Sequence, residues 1–536
     1  MRRCCLVILA MLAAGSAWAA DITVGLAAAP TSSDPHFHNL NANNTLARLV
    51  FGALLRTDAA LQPKPDLAAS VKLLDDRSWQ FTLRPDVRFH DGTPFTAADV
   101  VFSLCRARPG AGPTQSFTHT PRLIDRIDIA DPHSIVLHTA QPEPTFGAEL
   151  ASFAIVSAHS AGAEAVRFSL PSSAGEDACG LTALPVSSAF DNGGMANGTG
   201  PYRLRRYVAG EPFVLEADPG YHGDKPHWGR ATFKPVSNAG ARIAGLLSGD
   251  FDLIENPSAQ DLPTLKSRGG FAWVVTPSDR IVFLQPDIGR ARSPLATVRD
   301  GSNPLADPRV REAISLSIDR TAITGRLMGG MGVPADQYLA PGLADTLPNP
   351  PPRRYDPVRA RALLAEAGHA DDITLTLSAT NDRYIDDAKV AQALGQYLSR
   401  AGIRTTVDAM SQTLFFPRRA HRDFSLAMGG WGFDEPGSVL RTWIAGTDQA
   451  RALGQSNYGG YANPALDALL IPALAEMDAV RRTDRLNQAT MIALRDNAMI
   501  PLYWETTTWA FKDRYIYTGR IDQMTDIDGL QEKVRP

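Results

Sequence analysis

Trp79-Gln80-Phe81-Thr82-Leu83-Arg84-Pro85-Asp86-Val87-Arg88-Phe89-His90-Asp91-Gly92-Thr93-Pro94-Phe95-Thr96-Ala97-Ala98-Asp99-Val100-Val101-Phe102-Ser103-Leu104 holds a strand, a turn and a helix start in one short stretch. Trp79, Phe81 and Leu83 alternate with Gln80 and Thr82, the period of a half-buried strand. His90-Asp91-Gly92-Thr93 carries turn residues. Thr96 is placed to cap a helix, and Asp99 three positions on makes a shortened capping box. The apolar run Val100 to Leu104 then supplies a face to bury.

The same alternation of strand and helix extends in both directions. Ile22 to Leu26, Ser134 to Leu137, Phe271 to Val275, Ile281 to Leu284, Ile373 to Leu377 and Phe424 to Met428 are short runs rich in β-branched or aromatic residues. Three helices are well marked. The first follows Asp307-Pro308, with Val310, Ala313, Ile314 and Ile318 as its stripe. The second runs from Asp356-Pro357 to Ala367 and ends at Gly368. The third runs from about Asp386 to Arg400, buries Val390, Leu394, Tyr397, Leu398 and Ala401, and stops at Gly402. Strands alternating with helices predict an α/β architecture. Residues 107–114, 189–200 and the proline-rich 348–352 read as loops or connectors.

With 536 residues, the chain is too long for one core and predicts two or three domains. Hydrophobic residues make up 44% and charged residues 21%, which excludes disorder as the main state. A net charge of −4 gives no basic surface for a nucleic-acid partner. The start has three ordered parts: Arg2-Arg3, an apolar run from Cys4 to Ala14, and the small-x-small site Ala17-Trp18-Ala19. Together they predict a signal peptide over residues 1–19, cleaved after Ala19, and hence a periplasmic, soluble mature protein. Losing Arg2 and Arg3 takes the charge from −4 to −6. Cys4 and Cys5 leave with the signal. Cys105 and Cys179 remain, either as a disulfide permitted by an oxidising compartment or as two buried thiols.

Motifs for several chemistries are missing. There is no Gly-x-Ser-x-Gly elbow, no His-Glu pair, no Gly-Lys pair and no Cys-x-x-Cys. His36-Phe37-His38 offers two imidazoles without further ligands nearby, so neither a metal nor a cofactor is expected. No assembled nucleophile supports a secreted peptide hydrolase, and the chain is read as a non-enzyme.

The 79–104 segment closely resembles the signature of family 5 extracytoplasmic solute-binding proteins, the peptide, opine and nickel-type receptors of bacterial ABC importers. Gly198-Thr199-Gly200-Pro201-Tyr202, Asp307 to Ile314 with Ile318-Asp319-Arg320, Tyr355 to Gly368, Tyr461 to Asp467 and Ile500 to Tyr503 resemble further family segments in the family's order. The resemblance implies a two-lobed periplasmic-binding-protein fold of type II-like α/β architecture, with an extra α/β subdomain in the first lobe. Lobe I maps to 20–57, 191–283 and 486–536, the subdomain to 58–190, and lobe II to 284–485. It also implies capture of a di- or oligopeptide-like solute in the interlobe cleft by a monomer that serves a membrane permease. The alternative cargo is a non-peptide solute such as an opine, sugar or metal chelate.

A zwitterion taken out of water needs a cation for its carboxylate and an anion for its ammonium. In dipeptide receptors of the family, an Arg in the loop after a strand pairs with the ligand carboxylate. The loop Ser378 to Tyr384 makes Arg383 that candidate, with Asn381 and Tyr384 beside it. The competing reading is a surface Arg paired with Asp382 or Asp386. Trp431-Gly432-Phe433-Asp434 resembles the segment that supplies the amino-group carboxylate, which makes Asp434 the partner and Trp431 a wall. The competing reading is that Asp434 caps the next helix. Many relatives continue with Asp-Pro where this chain has Glu435-Pro436-Gly437, so Glu435 is a candidate to share the role. Asp34-Pro35-His36-Phe37 resembles a loop near the cleft entrance, which puts His36 and Phe37 among the candidate contacts.

Overall fold

The computed structural model describes residues 20–108, 117–163, 166–167, 179 and 184–533. The predicted signal segment, with Cys4 and Cys5, lies outside the described residues, as does most of the 107–114 loop. No helix among the described residues is long and apolar enough to cross a membrane.

Two long strands, Phe271–Pro286 and Ile500–Lys512, organise the molecule. They pair antiparallel from Phe271↔Lys512 to Pro277↔Thr506, slip, and resume from Ile281↔Trp504 to Leu284↔Ile500. Their two ends belong to different cores. Trp509 and Phe511 pack with Ile22, Leu253 and Phe233, and Ala272 and Val274 lie against that cluster. Val282, Leu284, Ile500 and Leu502 pack with Val310, Leu375 and Leu394. Ile281 and Trp504 join a third cluster with Leu440, Leu466 and Leu486. Between these ends the strands turn polar, at Thr276 to Arg280 on one and Glu505 to Thr508 on the other. Apolar burial therefore anchors both ends, while the middle buries polar side chains, Ser278 and Glu505 to Thr508.

Other strands extend this sheet to twelve. On one side lie Leu426–Gly432, Thr374–Thr380 and Ala296–Thr297. On the other lie Leu253–Glu255, Asp21–Leu26, Arg230–Pro235, Phe213–Ala217 and Tyr202–Arg206. Gly332–Pro334 and Arg404–Met410 attach beside this path.

The 79–104 segment folds as its pattern dictates. Ser78–Leu83 is a central strand of a separate four-stranded antiparallel sheet, with Ala68–Asp75, Ser134–Thr139 and Ile124–Asp131. Ala97–Arg106 is a helix, and the capping box forms, with the Thr96 N–H donating to Asp99 Oδ2 at 2.8 Å. Phe81, Phe95 and Phe102 are wholly buried, worth roughly 1.5–3 kcal/mol apiece. The turn docks this sheet onto the rest of the first core. The His90 N–H donates to Gly198 O at 2.8 Å, and His90 Nε2 lies 2.9 Å from Gly200 O. Gly198 and Gly200 are required there, because a Cβ on either would stand 1.9 or 2.6 Å from backbone atoms of Val50.

The three marked helices form as Pro308–Leu316, Pro357–Glu366 and Asp387–Arg400. Asp307 and Asp356 cap the first two, and Gly368 and Gly402 take the left-handed conformation. Cys105 and Cys179 are joined in a disulfide, with Cα atoms 6.1 Å apart.

Two strand predictions change. Phe271 to Val275 and Ile281 to Leu284 are one strand, because pairing to neighbours on both sides carries the chain through the irregular stretch at Pro277. The strand expected to end at Met428 runs on to Gly432 and includes Trp431. Gly429, Gly430 and Gly432 hid it, since glycine weakens strand propensity. Their missing side chains make room: a Cβ on Gly430 would lie 2.7 Å from the Tyr384 ring, and one on Gly432 would lie 2.8 Å from Asp279 Oδ2.

Candidate ligand-binding cleft

The polar middle of the two crossing strands faces a cavity of about 560 Å³. Arg280 and Glu505 to Thr508 form its floor. Asn41 and Asn256 come from the side of the first core, and Met331 and Arg383 from the side of the second. The chamber therefore lies where the two cores meet, as a closing cleft requires.

Arg383 reaches this cavity from the loop after Thr374–Thr380. Asp387 shapes that loop: its Oδ2 accepts from the Thr380 hydroxyl at 2.7 Å and from the N–H groups of Arg383 and Tyr384. The competing partners of Arg383 are engaged elsewhere. Asp382 accepts from the Gln412 N–H at 2.8 Å, and Asp386 pairs with Lys389 at 2.6 Å. Among the described residues the Arg383 guanidinium makes only a stacking contact, 5.7 Å from the Tyr384 ring. Tyr384 itself is buried. Its hydroxyl donates to Gly430 O at 3.1 Å and accepts from the Gly430 N–H at 2.8 Å, which ties the loop to the neighbouring strand. Asn381 is exposed, and its N–H donates to Met410 O.

Asp434 and Trp431 lie outside the lining of this cavity. Trp431 is 54% exposed, with its ring 6.0 Å from that of Trp443. The cap of the following helix, Pro436–Val439, is Glu435 and not Asp434. Glu435 Oε2 accepts from the Gly437 N–H at 2.8 Å and from Arg482 Nη2 at 2.5 Å. Asp434 is left with no side-chain partner among the described residues. Although its surface is accessible, desolvation by the surrounding walls, and then the charge of Glu435, raise its carboxyl above the usual range. Glu149 stands toward it from the Phe146–Ala151 helix, which packs into the first core. Burial first, then Asp434 and Glu143, push Glu149 up to about 7. Asp279, on the crossing strand, is likewise pushed up to about 7, chiefly by burial. Arg441 acts against these shifts at both Glu149 and Asp434, and His119 Nε2 stands 3.8 Å from Glu149 Oε1, so carboxyl groups outnumber but do not exclude cations on this side.

His36 is fully enclosed. Arg106 donates Nη1 to its Nδ1 at 3.0 Å, and its Nε2 meets Ala154 O at 2.8 Å, so the ring is the neutral tautomer. Arg106 also binds Asp34 through two hydrogen bonds, at 3.0 and 2.6 Å. The loop is thereby locked to the subdomain helix, and His36 has no ring nitrogen to spare. Phe37 is half-buried against His38. Sequence reasoning passed over Arg280 and Glu505. The available signal was a polar break inside two apolar strands, Ser278-Asp279-Arg280 and Glu505 to Thr508.

The sequence model for bacterial extracellular solute-binding proteins, family 5 Middle, matches residues 62–450. The chain belongs to family 5 of the bacterial extracellular solute-binding proteins. The resemblance carried by the 79–104 segment is thus borne out. The probable D,D-dipeptide-binding periplasmic protein DdpA of Escherichia coli K12 is 25% identical over 534 residues, covering 95% of this chain and 94% of that protein. The periplasmic oligopeptide-binding protein OppA of Salmonella typhimurium is 25% identical over 539 residues, covering 93% and 92%. The crystal structure of the ABC transporter substrate binding protein CtaP from Listeria monocytogenes superposes with a TM-score of 0.78 at 20% identity, covering 96% of this chain and 99% of that one. The two-lobed α/β fold is shared throughout.

Proposed function

We propose that this family 5 protein is the periplasmic receptor of an ABC importer. It captures a di- or oligopeptide-like solute in the interlobe cleft and presents it to a membrane permease. One observation carries the reading: Arg383 lines the chamber between the two cores, Asp434 lies outside that lining, and neither makes a close ion pair among the described residues. Both side chains are exposed, and a zwitterion supplies both missing charges as closure takes them out of water. The names of the peptide-binding relatives support the same cargo class. In this reading Trp431 forms a wall and Asn381 borders the site. Tyr384, Glu435 and His36 hold loops in place.

The division into lobe I (20–57, 191–283 and 486–536), subdomain (58–190) and lobe II (284–485) belongs to this proposal, as do export by residues 1–19, action as a monomer and the absence of turnover. Lobe closure is the working stroke, because cargo touches both lobes only in the closed state and so shifts the population toward it. Native mass spectrometry of protein purified without added ligand tests the cargo. A co-purified peptide mass supports the reading. A sugar, opine or metal-chelate mass would replace the cargo, and release of cleaved peptide would end the receptor account.

A further inference from the structure

We propose that Arg280, on the crossing strand Phe271–Pro286, is the second guanidinium of a two-arginine clamp that, with Arg383, holds a free carboxylate of the cargo. The inference rests on the cavity being the cargo site, and it narrows the cargo to solutes with an exposed carboxylate.

The first support is hydrogen bonding. Arg280 lines the cavity with only 19% of its side chain exposed. Its Nε is buried without a hydrogen-bond partner. Among the described residues, no guanidinium N–H of Arg280 or of Arg383 makes a hydrogen bond. Interior arginines elsewhere are well supplied. Arg242 donates to the carbonyls of Val236, Ser237, Glu255 and Asn256, and Arg320 donates to Pro501 O and Ser315 O. A guanidinium carries five donors in a fork that matches a carboxylate. Two such forks line one chamber, Arg280 with only the 3.5 Å ion pair to Glu505 and Arg383 exposed with none, and together they form a receptor for an oxyanion.

The second support is charge. Glu505 holds Arg280 in place at 3.5 Å through Oε2, while its Oε1 is taken by the Ile385 N–H at 2.8 Å. Asp386, which also lines the cavity, is paired with Lys389, and Asp279 accepts from Gln523 at 3.1 Å. The lining thus sets Arg280 and Arg383 against Glu505, on which both guanidiniums act, and Asp386, which Lys389 offsets, so one cation is in excess. The third support is position. Arg280 sits at the register break between Pro277 and Ile281, where the strands pass from one core to the other, and Arg383 rides on the loop of the second core. A carboxylate bound by both fastens that loop to the crossing.

Two measurements test this. A random tripeptide pool with free C-termini and the same pool amidated are titrated calorimetrically into the wild type, Arg280→Gln and Arg280→Lys. The wild type should prefer the free acids by at least about 30-fold. Arg280→Gln should lose most of that preference, with affinity for the free acids falling far more than affinity for the amides, and Arg280→Lys should keep part of it. Equal binding of both pools by the wild type, or an undiminished preference in Arg280→Gln, overturns the clamp and leaves the peptide reading intact. Binding of neither pool removes the peptide reading, and the clamp is then judged by the second measurement. In it, the arginine Nε–H resonances of the wild type are followed with acetate and with acetamide. A shift of the Arg280 and Arg383 signals with acetate alone supports the clamp, and no shift with either overturns it.

Discussion

Arg383 and Asp434 show how single residues acquire a role from their neighbours. Arg383 has acids one and three positions away, and the fold commits them elsewhere, Asp382 to the Gln412 N–H and Asp386 to Lys389, while beside Asp434 the like-charged Glu435 is taken by Arg482. Replacing Arg383 with Ala or Asp434 with Asn should weaken binding of a zwitterionic peptide by about 2–5 kcal/mol, because each strands a charge of the cargo. Isothermal calorimetry reads this directly, and unchanged affinity in both variants would remove the assignment. His36 illustrates the opposite case, a residue that resembles a site residue and is built into the interior. Burial first, then Arg106, hold its imidazole down at about 4 from the ordinary 6.5. The unfolded chain therefore takes up a proton that the folded chain refuses. The stability from keeping His36 neutral is present above pH 6.5 and is lost as pH falls toward 4, at a limiting slope of about 1.4 kcal/mol per pH unit. Urea denaturation across that window should show a shallower pH slope in His36→Gln than in the wild type.

At the scale of elements, local chemistry was legible wherever it was self-contained. The capped helices after Asp307 and Asp356, and the box at Thr96 and Asp99, need only their own sequence to be recognised. The Leu426–Gly432 strand needed its neighbours, because its glycines exist to admit the Tyr384 ring and the Asp279 carboxylate. Gly430→Ala should destabilise the protein by about 1–3 kcal/mol and loosen the Arg383 loop, since a Cβ there meets the Tyr384 ring at 2.7 Å. Denaturation and the near-ultraviolet tyrosine signal would report both effects. The disulfide closes a loop with a sequence separation of 74 residues between the Ala97–Arg106 helix and Cys179. Loop-closure entropy predicts that Cys105→Ser with Cys179→Ser costs about 4 kcal/mol. The loss should fall on the subdomain first, as measured by limited proteolysis or hydrogen exchange, and equal exchange in the reduced and oxidised proteins would contradict it.

The whole molecule is two cores strung on a pair of strands whose middle is polar. Apolar burial anchors each end and the centre is polar, joined by the Arg280–Glu505 ion pair and by Ile521, Ala60 and Leu61 against the third cluster, so relative motion is expected at the crossing. Bound peptide should lower the radius of gyration in small-angle scattering. At a hundredfold excess over Kd it should stabilise the folded state by about 2.7 kcal/mol. A radius unchanged by saturating peptide would argue against closure. By itself the sequence determined the α/β alternation, the helix caps and the family, because each depends on residues close together in the chain or on segments read in order. It also led to Arg383 and Asp434 through family segments. Only the tertiary structure decided that Glu435 is the cap, that His36 is interior, and that Arg280 and Glu505 floor the chamber. Those outcomes depend on which charges become neighbours across the chain, 47 residues apart for Glu435 and Arg482, 70 for His36 and Arg106, and more than two hundred for Arg280 and Glu505, and desolvation, which makes an unpaired charge consequential, exists only once the chain has folded.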